Sequence, residues 1–598
     1  METMPTIEQL YDAGYFSDLD YQFAQTLGRV AADENPVVML TAALASRFTA
    51  QGHVCVDLDQ MAGRPVITDT GETLPEIRWP EKTRWLEALM ESGAVAQSAT
   101  TAPLVVDRRN RLYLARYWQY QQRLVFQLRR RSRGRVSGID SLVLEAGLKD
   151  LFPHRAAPSV PDHQRLAART AVLRYLTVVS GGPGTGKTHT VVNILALIIA
   201  QAMATRQKMP IIELAAPTGK AAARLKEAIT AAKGAPNRSV SPEAGKGAIA
   251  AAINTVPEDA VTLHRLLGAS GSGGRFRHNL DNPLSADVLV VDEASMVDLS
   301  LMCRLMEAAA PETRVILLGD KDQLASVDAG AILGDICAAP NIQDCIVNLV
   351  HSYRFGPGSG IGRLAESIRS GDADDAMACL NNPGAADVSL IDGSTPGSLT
   401  NVLSPFIRRH YLPLITDVNP ESRLGALGGF RILCAHRRGI FGSETLNDLA
   451  EAMLQGQTQL DGDLLWYSGR PVMIMENDYQ LGLFNGDVGI AAKPDKDSPE
   501  IRVYFPDGTD GVRALAPSRL PAHQSVYAMT VHKSQGSEFD HVLLVLPPVR
   551  SPVITRELLY TAVTRAKQTV TIFGSELVIR EAIATPVQRA SGLSDQLR

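Results

Sequence analysis

Cysteine is scarce in this sequence, and its placement excludes two kinds of stabilisation. The chain has 598 residues and six cysteines, which are scattered and form no Cys-x-x-Cys pair. This pattern predicts neither a structural zinc site nor a disulfide framework. The sequence therefore favours a reducing compartment, and we expect the protein to be cytoplasmic.

An excess of positive charge is also lacking. Lys and Arg number 59 against 64 Asp and Glu, which gives a formal net charge of −5. Such a protein is not coated in basic surface, so any nucleic acid is expected to bind in a local groove. The hydrophobic content of 45% and the charged content of 21% are those of an ordinary globular protein. The length is enough for about three to four domains.

Long uninterrupted apolar segments are missing as well. The first residues, METMPTIEQLYDAG, show no basic stretch followed by an apolar core, so we expect no signal peptide. The longest apolar run, 191–204, is interrupted by Asn193 and Gln201. Because it directly follows a glycine-rich loop, it is predicted to be a buried helix and not a membrane span.

The glycine-rich segment 176–190 has the pattern of a phosphate-binding loop. An apolar, β-branched run leads into G-x-x-x-x-G-K-T, and an apolar helical pattern follows. In such loops the glycine N–H groups surround a phosphate at a helix N-terminus. Lys187 is predicted to reach the β- and γ-phosphates, and the Thr188 hydroxyl to ligate Mg²⁺. The predicted ATP-binding residues of the loop are Gly181, Gly182, Pro183, Gly184, Thr185, Gly186, Lys187 and Thr188.

Short apolar segments that alternate with helical patterns predict buried parallel strands. They lie at 211–217, 287–295, 314–320, 430–436, 541–547 and 569–574. Polar residues follow these strands at the carboxyl ends, where open α/β sheets bind ligands. We predict that Asp292 holds Mg²⁺ through water and that Glu293 orients or deprotonates the attacking water. Gln323 is a candidate sensor of the γ-phosphate, and Gln164, before the loop, is a candidate for reading the adenine edge.

The N-terminal part of the chain carries no recognisable chemistry. Helical periodicity over 23–32, 36–52 and 81–95 predicts a mainly helical domain, which is either a plain structural core or a docking domain.

A basic segment with interleaved aromatic residues follows at 112–135. Its cluster consists of Arg129, Arg130, Arg131, Arg133 and Arg135. Aromatic and basic residues together can bind a single nucleic-acid strand. The interpretation that we favour is an amphipathic linking helix with a solvated basic end.

The ordered motifs resemble those of superfamily 1 helicases. They are Gln164, GGPGTGKT, APTGKAAARL, TLHRLLG, VVDEASMVD, LLGDKDQLASVDAG, SYRF, ILCAHRRG, AMTVHKSQGSEFD and LLYTAVTRAK, and they span about two thirds of the chain. LLGDKDQLASVDAG and TVHKSQGSEFD are similar to the RecD branch, and 468–489 fits its SH3-like β insert. The chain length, and an N-terminal domain without obvious helix-hairpin-helix repeats, favour the RecD subunit of RecBCD complexes over the longer stand-alone RecD-type helicases.

The resemblance implies an α/β fold with two RecA-like, parallel-sheet motor domains of the P-loop NTPase kind. It divides the chain into a mainly helical docking domain at 1–110, a basic linker at 111–160, and motor domains at 161–350 and 351–598. A small SH3-like β insert is expected near 460–520.

The resemblance also implies an activity and partners. The activity is ATP-dependent 5′→3′ translocation on single-stranded DNA, with unwinding at double-strand breaks in recombinational repair. The implied partners are DNA ends and RecB-like and RecC-like subunits in a heterotrimer, with no membrane. Nuclease activity is expected in another subunit, because the chain has no Glu-x-Lys tripeptide. The alternative is a stand-alone superfamily 1 helicase.

Individual residues take roles from the same resemblance. Arg354 and Arg565 match arginines that reach the γ-phosphate from the second domain, where positive charge stabilises the transferring phosphoryl group. Gln535 and Glu538 match a loop near the nucleotide. The positions that match DNA-backbone contacts are Pro217, Thr218, Thr262, His264, Thr530, His532 and Ser534. Hydroxyl and imidazole groups suit such contacts, which hold the strand without reading its sequence.

Overall fold

Alternating apolar strands and helices form two parallel sheets in the computed structural model of the chain. The structure describes residues 4–68, 73–97, 102–153, 162–234, 246–269, 275–356, 358–393, 399–417, 419–455, 465–478, 480–494, 498, 500–507 and 511–598. The predicted domain boundary at 160/161 and the predicted start of the insert near 460 lie outside these residues.

The helices predicted near the N-terminus are present, together with short strands. The elements are α1 (Ile7–Asp12), α2 (Asp18–Ala31), α3 (Pro36–Ala50), β1 (Val56–Asp57), α4 (Leu58–Met61), β2 (Pro65–Ile67), β3 (Thr73–Arg78), α5 (Lys82–Glu91), β4 (Val95–Ala96), β5 (Leu104–Val106) and β6 (Arg111–Leu114). One sheet has the order β1-β6-β5-β4, and β2 pairs with β3. The strands were not predicted because β1 and β4 have only two residues each, too few to show an alternating pattern.

The first parallel sheet carries the glycine-rich loop in its interior. Its region contains α6 (Ala115–Arg133), α7 (Ser141–Leu151), α8 (His163–Leu173), β7 (Leu176–Gly181), α9 (Lys187–Ala204), β8 (Ile212–Ala216), α10 (Gly219–Gly234), α11 (Lys246–Thr255), β9 (Ala260–Thr262), α12 (Leu263–Leu266), β10 (Val288–Val291), α13 (Leu299–Ala308), β11 (Arg314–Gly319), α14 (Ile332–Ala338) and β12 (Ile346–Leu349). The order is β12-β7-β11-β10-β8-β9. Val178 of β7 lies beside Leu317 of β11 and Ile346 of β12, so the loop after β7 is flanked on both sides.

Helix α9 is the long apolar segment that follows the loop. Among the described residues it is the one helix long and apolar enough to cross a membrane, but most of it is buried inside the protein. Its apolar side chains pack in one cluster with Val179 and Val290 of the sheet and with α8 and α11. It is a core helix, as the sequence predicts.

Helix α6 contains most of the predicted basic segment, and some of its arginines serve packing. The buried Arg131 donates from Nη2 to the carbonyl oxygens of Ala309 at 2.6 Å and Ala310 at 3.0 Å. Arg123 donates from Nε to Glu307 on α13 at 2.6 Å. The helix thus packs against the first parallel sheet region. The prediction of a solvated basic end is wrong for Arg131, which is buried, whereas Arg133 and Arg135 are exposed.

The second parallel sheet has an antiparallel sheet inserted in its sequence. The elements are α15 (Gly360–Ser370), α16 (Ala373–Leu380), β13 (Val388–Asp392), α17 (Leu399–His410), α18 (Leu412–Thr416), α19 (Pro420–Gly429), β14 (Phe430–Cys434), α20 (Ser443–Gln455), β15 (Pro471–Ile474), β16 (Val488–Ala492), β17 (Arg502–Asp507), β18 (Gly511–Leu515), β19 (His523–Ser525), β20 (Ala528–Thr530), β21 (Phe539–Val545), α21 (Arg556–Val563), β22 (Ala566–Gly574), α22 (Glu576–Ala584) and α23 (Leu593–Gln596). The parallel order is β13-β22-β21-β14-β20, and the antiparallel order is β18-β17-β16-β15-β19. The parallel strands predicted from apolar runs are therefore confirmed, whereas the SH3-like character of the insert stays a prediction.

The chain after α22 returns to the first half of the molecule. The N–H of Val54 donates to the carbonyl oxygen of Ala590 at 2.9 Å. Leu593 and Leu597 are buried in the same apolar cluster as Tyr113. This tail, residues 585–598, therefore connects the second parallel sheet region to both the N-terminal region and the first sheet region.

Candidate active site

The loop between β7 and α9 needs glycine for both conformation and space. Gly184 and Gly186 have φ angles of +77° and +80°, in the left-handed region that favours glycine. A Cβ on Gly184 would lie 2.4 Å from the Cβ of Arg354. A Cβ on Gly186 would lie 2.5 Å from Nε2 of Gln164. The loop therefore brings its main chain close to side chains that the sequence predicts at the nucleotide.

Lys187 and Gln164 both bind the main chain of the loop. Nζ of Lys187 donates to the carbonyl oxygens of Gly181 at 2.6 Å and Gly182 at 3.3 Å. Nε2 of Gln164 donates to the carbonyl oxygen of Thr185 at 3.1 Å. The Thr185 hydroxyl in turn donates to Gly182 O at 2.8 Å. The Lys187 ammonium and the Gln164 amide thus both contact carbonyl oxygens of the loop.

Asp292 and Glu293 follow β10 at a sharp turn. Glu293 has a φ of +50°, which is uncommon for a residue with a side chain, and its N–H donates to Oδ1 of Asp292 at 2.8 Å. Burial and then the Glu293 carboxylate raise the pKa of Asp292 to about 6, while the Lys187 ammonium opposes the rise. The two carboxylates and the ammonium therefore share one site at the carboxyl edge of the first sheet.

The predicted metal ligands are few. Among the described residues there is no group of three or more His, Cys, Asp or Glu side chains that could hold a metal ion. Thr188, half-buried in the first turn of α9, and Asp292 both lie at this edge of the sheet. Mg²⁺ commonly takes one or two protein oxygens and completes its shell with phosphate oxygens and water. The sparse oxygen set fits that manner of binding.

The loop after β11 joins the two parallel sheet regions by hydrogen bonds. Gln323 donates from Nε2 to Oδ2 of Asp320 at 3.0 Å and accepts at Oε1 from Nη2 of Arg565 at 3.0 Å. The Tyr560 hydroxyl donates to the same Asp320 oxygen at 3.1 Å. Burial raises the pKa of Asp320, and the Lys187 ammonium opposes the rise. A polar chain thus runs from the first region to the second beside the glycine-rich loop.

Arg565 is buried, and each of its three guanidinium nitrogens donates a hydrogen bond. Only 2% of it is exposed, and it also donates from Nε to Thr561 O and from Nη1 to Ser537 O, both at 3.2 Å. Burial lowers its pKa, and the carboxylates of Glu293 and Glu538 oppose this effect. The guanidinium is therefore held rigidly while it faces carboxylates from both regions.

Arg354 and Arg224 pair with different carboxylate oxygens of Glu538. Nη2 of Arg354 donates to Oε1 of Glu538 at 2.6 Å, and Nη2 of Arg224 lies 3.7 Å from Oε2. Burial alone raises the pKa of Glu538, but Arg224 and Arg354 bring it below its ordinary value. Nη1 of Arg354 is buried without a hydrogen-bond partner in the described part of the chain. A buried guanidinium nitrogen without an acceptor is costly, so this site fits an added anion.

Gln535 is predicted to lie near the nucleotide. In the structure its side-chain amide forms a hydrogen bond between the two parallel sheet regions. Nε2 of Gln535 donates to the carbonyl oxygen of Leu324 at 2.8 Å, and the N–H of Leu324 donates to Oγ1 of Thr561 at 3.0 Å. The side chain is buried. It therefore connects the second region to the loop that follows β11.

Several hydroxyls predicted to contact DNA bind the local main chain. Thr218 and Thr262 accept the N–H groups three residues further on, each at 3.2 Å, at the start of α10 and α12. Thr262 is also buried. Ser534 is fully buried and donates to Val531 O at 2.7 Å. The structure therefore places these hydroxyls in helix caps and turns.

The remaining predicted DNA positions are more accessible. His264 is exposed, and Pro217 and Thr530 are half-buried at the carboxyl ends of β8 and β20. His532 is half-buried; burial, and then the Arg589 guanidinium, lower its pKa. As DNA contacts, all of these positions stay predictions.

Arg224, Tyr353 and Tyr560 lie at the site but were not singled out from the sequence. A Cβ on Gly182 would lie 2.7 Å from the Tyr560 hydroxyl, and one on Gly186 would lie 3.7 Å from the Tyr353 ring. Each of these residues stands inside a recognisable motif. The spacing of residues along each motif does not distinguish these three from motif residues that have only a packing role. Only the fold shows that they lie beside the nucleotide loop.

Known families match three parts of the chain. Residues 12–113 match the family described as RecBCD enzyme subunit RecD, N-terminal domain. Residues 164–329 match an AAA domain, and residues 525–573 match a UvrD-like helicase C-terminal domain.

Curated relatives match nearly the whole chain. The RecBCD enzyme subunit RecD of Mycolicibacterium smegmatis is 39% identical over 594 residues, which cover 97% of each chain. The RecBCD enzyme subunit RecD of Haemophilus influenzae is 33% identical over an alignment of 660 positions, which covers 99% of each chain. The ATP-dependent RecD2 DNA helicase of Deinococcus radiodurans is 32% identical over 420 residues, 69% of this chain and 49% of that protein.

Proposed function

The chain belongs to the RecD family of RecBCD enzyme subunits, and from this premise we propose how its cleft drives a DNA motor. It is an ATP-dependent DNA helicase that works in a RecBCD-type complex with RecB-like and RecC-like partners. The observation that carries the mechanism is the hydrogen bond between Arg565 and Gln323, which joins the two parallel sheet regions beside the phosphate-binding loop.

The glycine-rich loop is the proposed seat of the ATP phosphates. Its main chain and the Lys187 ammonium supply positive charge, and the N-terminus of α9 adds to it. Gln164 and Tyr353 flank the loop near Gly186, on the side proposed for the adenine. The unpartnered Nη1 of Arg354 supports an anion at this point.

Thr188 is the proposed direct protein ligand of Mg²⁺, and Asp292 is proposed to hold the ion through water. When bound to the phosphates, the ion would neutralise negative charge there. The positive charge of the ion would favour the ionised form of the Asp292 carboxyl, against the effect of burial and of the Glu293 carboxylate, which raise its pKa.

Hydrolysis is proposed to use carboxylate and guanidinium groups that already face one another. Glu293 accepts a proton from the water that attacks the γ-phosphorus. Arg565 and Arg354 stabilise the negative charge that develops on the γ-phosphate oxygens. Both arginines bind carboxylate or amide oxygens in this structure, so phosphate binding would exchange one set of oxygen acceptors for another. This exchange would link the phosphate to the distance between the two sheet regions.

Movement along DNA is proposed to follow from closing and opening of this cleft. The predicted DNA-contact positions lie at or after the carboxyl ends of β8 and β9 in the first region and of β20 in the second region. A strand held across them would be advanced when the regions approach and separate. The 5′→3′ direction and a cytoplasmic location are proposed from family membership, and nuclease activity is assigned to another subunit.

The domain division is proposed as in the sequence analysis, with the N-terminal region as the docking domain. The family match at 12–113 supports it. Val54 and Val105 share an apolar cluster with the first sheet, so deleting residues 1–110 would expose that core to solvent.

Point substitutions test the docking role without exposing this core. Leu19 and Val30 are 69% and 81% exposed on α2, and at eleven residues apart they lie on one face of it. Changing both to lysine should weaken binding to the RecB-like and RecC-like subunits and leave ATP hydrolysis intact.

Strand displacement by the purified chain tests the proposed direction. Duplexes with a 5′ or a 3′ single-stranded tail are supplied with ATP and Mg²⁺. Unwinding from the 5′ tail alone is expected, and unwinding from the 3′ tail would overturn the proposed direction. Hydrolysis stimulated by single-stranded DNA without unwinding would assign the movement to the assembled complex.

A further inference from the structure

An arginine-lined cavity lies away from the nucleotide site, and it is called the rear cavity below. Its volume is about 260 Å³. The charged residues that line it are Arg129, Arg133, Arg135, Arg174, Asp344 and Arg598. Arg174 comes just before β7 and Asp344 just before β12. The cavity is therefore at the amino ends of these strands, whereas the nucleotide site is at the carboxyl ends of the same sheet.

The positive charge around the rear cavity is only partly compensated. Nη2 of Arg174 lies 2.9 Å from Oδ2 of Asp344, and Nε of Arg598 lies 3.6 Å from Oδ1 of Asp595. Nη2 of Arg129 donates to the main-chain oxygen of Arg598 at 2.7 Å. No ion pair or side-chain hydrogen bond is formed by Arg133 or Arg135 within the described ranges. Both residues are exposed at the end of α6 and just after it.

Clustered guanidinium groups repel one another unless an anion lies between them. In a chain with a net charge of −5, this local excess of positive charge favours an anionic ligand. Arginine binds carboxylates and phosphates through two parallel N–H groups, which suits a concave site better than a flat surface.

We propose that the rear cavity receives an acidic side chain from a partner subunit of the complex. This inference rests on the proposed function, because it needs the RecB-like and RecC-like partners. The carboxylate of Asp344, whose side chain is 79% exposed, already pairs with Arg174, so a carboxylate fits the arginine geometry. Ile342 and Leu597 also line the cavity and give it an apolar side.

Nucleic acid fits the rear cavity less well than a protein segment. The predicted DNA-contact segments lie at the carboxyl ends of strands, on the far side of the sheet. Strands of nucleic acid bound without sequence preference usually stack on aromatic side chains. The residues that line the cavity include no aromatic side chain in the described part of the chain. Tyr113 and Tyr120 of this segment are buried in the core, and Phe126, which is 63% exposed on α6, does not line the cavity.

The test uses the full chain co-expressed with its RecB-like and RecC-like subunits. The variant carries Arg133→Glu and Arg135→Glu, and the matched control is Arg130→Glu, which is exposed on the same helix but does not line the cavity. We expect the double variant to bind the partner pair about tenfold more weakly at low salt. The control should bind like the unchanged chain. Hydrolysis of ATP stimulated by single-stranded DNA should be unchanged in both, which also shows that they are folded.

A second variant, Arg133→Gln with Arg135→Gln, separates lost attraction from introduced repulsion, and it should show a smaller loss of the same kind. Equal partner affinity for the variants and the unchanged chain would overturn the proposal. So would a loss of affinity for a short single-stranded oligonucleotide with the complex intact, because the cavity would then bind nucleic acid. If the unchanged chain does not bind the partner pair at all, the proposed complex fails, and this inference fails with it.

Discussion

The two parallel sheets share an architecture but differ in the strand ends that they present to the candidate site. The first sheet presents carboxyl ends, and the second presents the amino ends of β21 and β22. In the first sheet β7 leads into the glycine-rich loop, β10 into Asp292 and Glu293, and β11 into Asp320. In the second sheet, β14 is followed by AHRRG (435–439), with no phosphate-binding loop. The second region contributes Arg354, the residues 535–538 just before β21, and Arg565 just before β22.

This difference suggests that the first sheet binds the nucleotide and that the second sheet responds to its phosphate. The first sheet carries the loop, the ammonium and the carboxylates, and the second sheet adds a guanidinium held in place by main-chain and side-chain oxygens. The candidate site is complete only when the two regions are adjacent. The same fold used twice can therefore place binding in one copy and control in the other.

Removing the ammonium from the first sheet should have the largest effect. Lys187→Gln keeps a polar side chain that is one atom shorter but loses its charge at the β- and γ-phosphates. We expect hydrolysis stimulated by single-stranded DNA to fall by about 10³-fold or more. The matched control is Lys149→Gln, an exposed position on α7 that should be unaffected. Normal turnover in the Lys187 variant would refute the assignment of the loop.

Changing the guanidinium of the second sheet should affect turnover and spare binding. Arg565→Lys keeps a positive charge but loses the planar set of donors that binds Gln323, Ser537 and Thr561. We expect the turnover number to fall by about 10²-fold, with little change in the affinity for a fluorescent ATP analogue. Arg550→Lys, at an exposed position, is the control. Loss of binding and turnover together would make the two sheets equal partners in holding ATP.

Weakening the link between the sheets should have a smaller effect. Tyr560→Phe removes the hydrogen bond to Asp320 and keeps the ring packing. A hydrogen bond to a carboxyl group contributes about 1 kcal/mol net, so turnover should fall by about fivefold. Asp320→Asn and the double variant complete a cycle. Additive losses would show that the two residues act independently.

The smallest expected effect comes from a buried carboxyl group outside the cleft. Its substitution should change thermal stability and leave hydrolysis unchanged. Burial, with the Asp595 carboxylate, raises the pKa of Asp335 on α14 to about 7, although the Ser591 hydroxyl opposes the rise. The unfolded chain releases this proton near pH 4, so the group lowers stability progressively as the pH rises from about 4 to 7. Asp335→Asn should raise the midpoint of thermal unfolding at pH 8 by about 2 °C, and by less at pH 5. Hydrolysis should not change, because this residue faces the tail and not the nucleotide. A loss of turnover would extend the site beyond the cleft.

The sequence by itself determined the α/β class, the parallel strands, the loop and the acids after β10. These features are local, because a strand, a glycine-rich turn and a helix follow one another within a few residues. The tertiary structure decided which residues meet across the cleft. Gln323 and Arg565 are 242 residues apart in the chain, and no local pattern sets their contact. Only the fold shows that the Ser534 hydroxyl is buried. It also shows that arginines from α6, from the residues just before β7 and from the tail surround one cavity. Burial and charge clustering depend on packing between distant segments, which periodicity along a single segment does not contain.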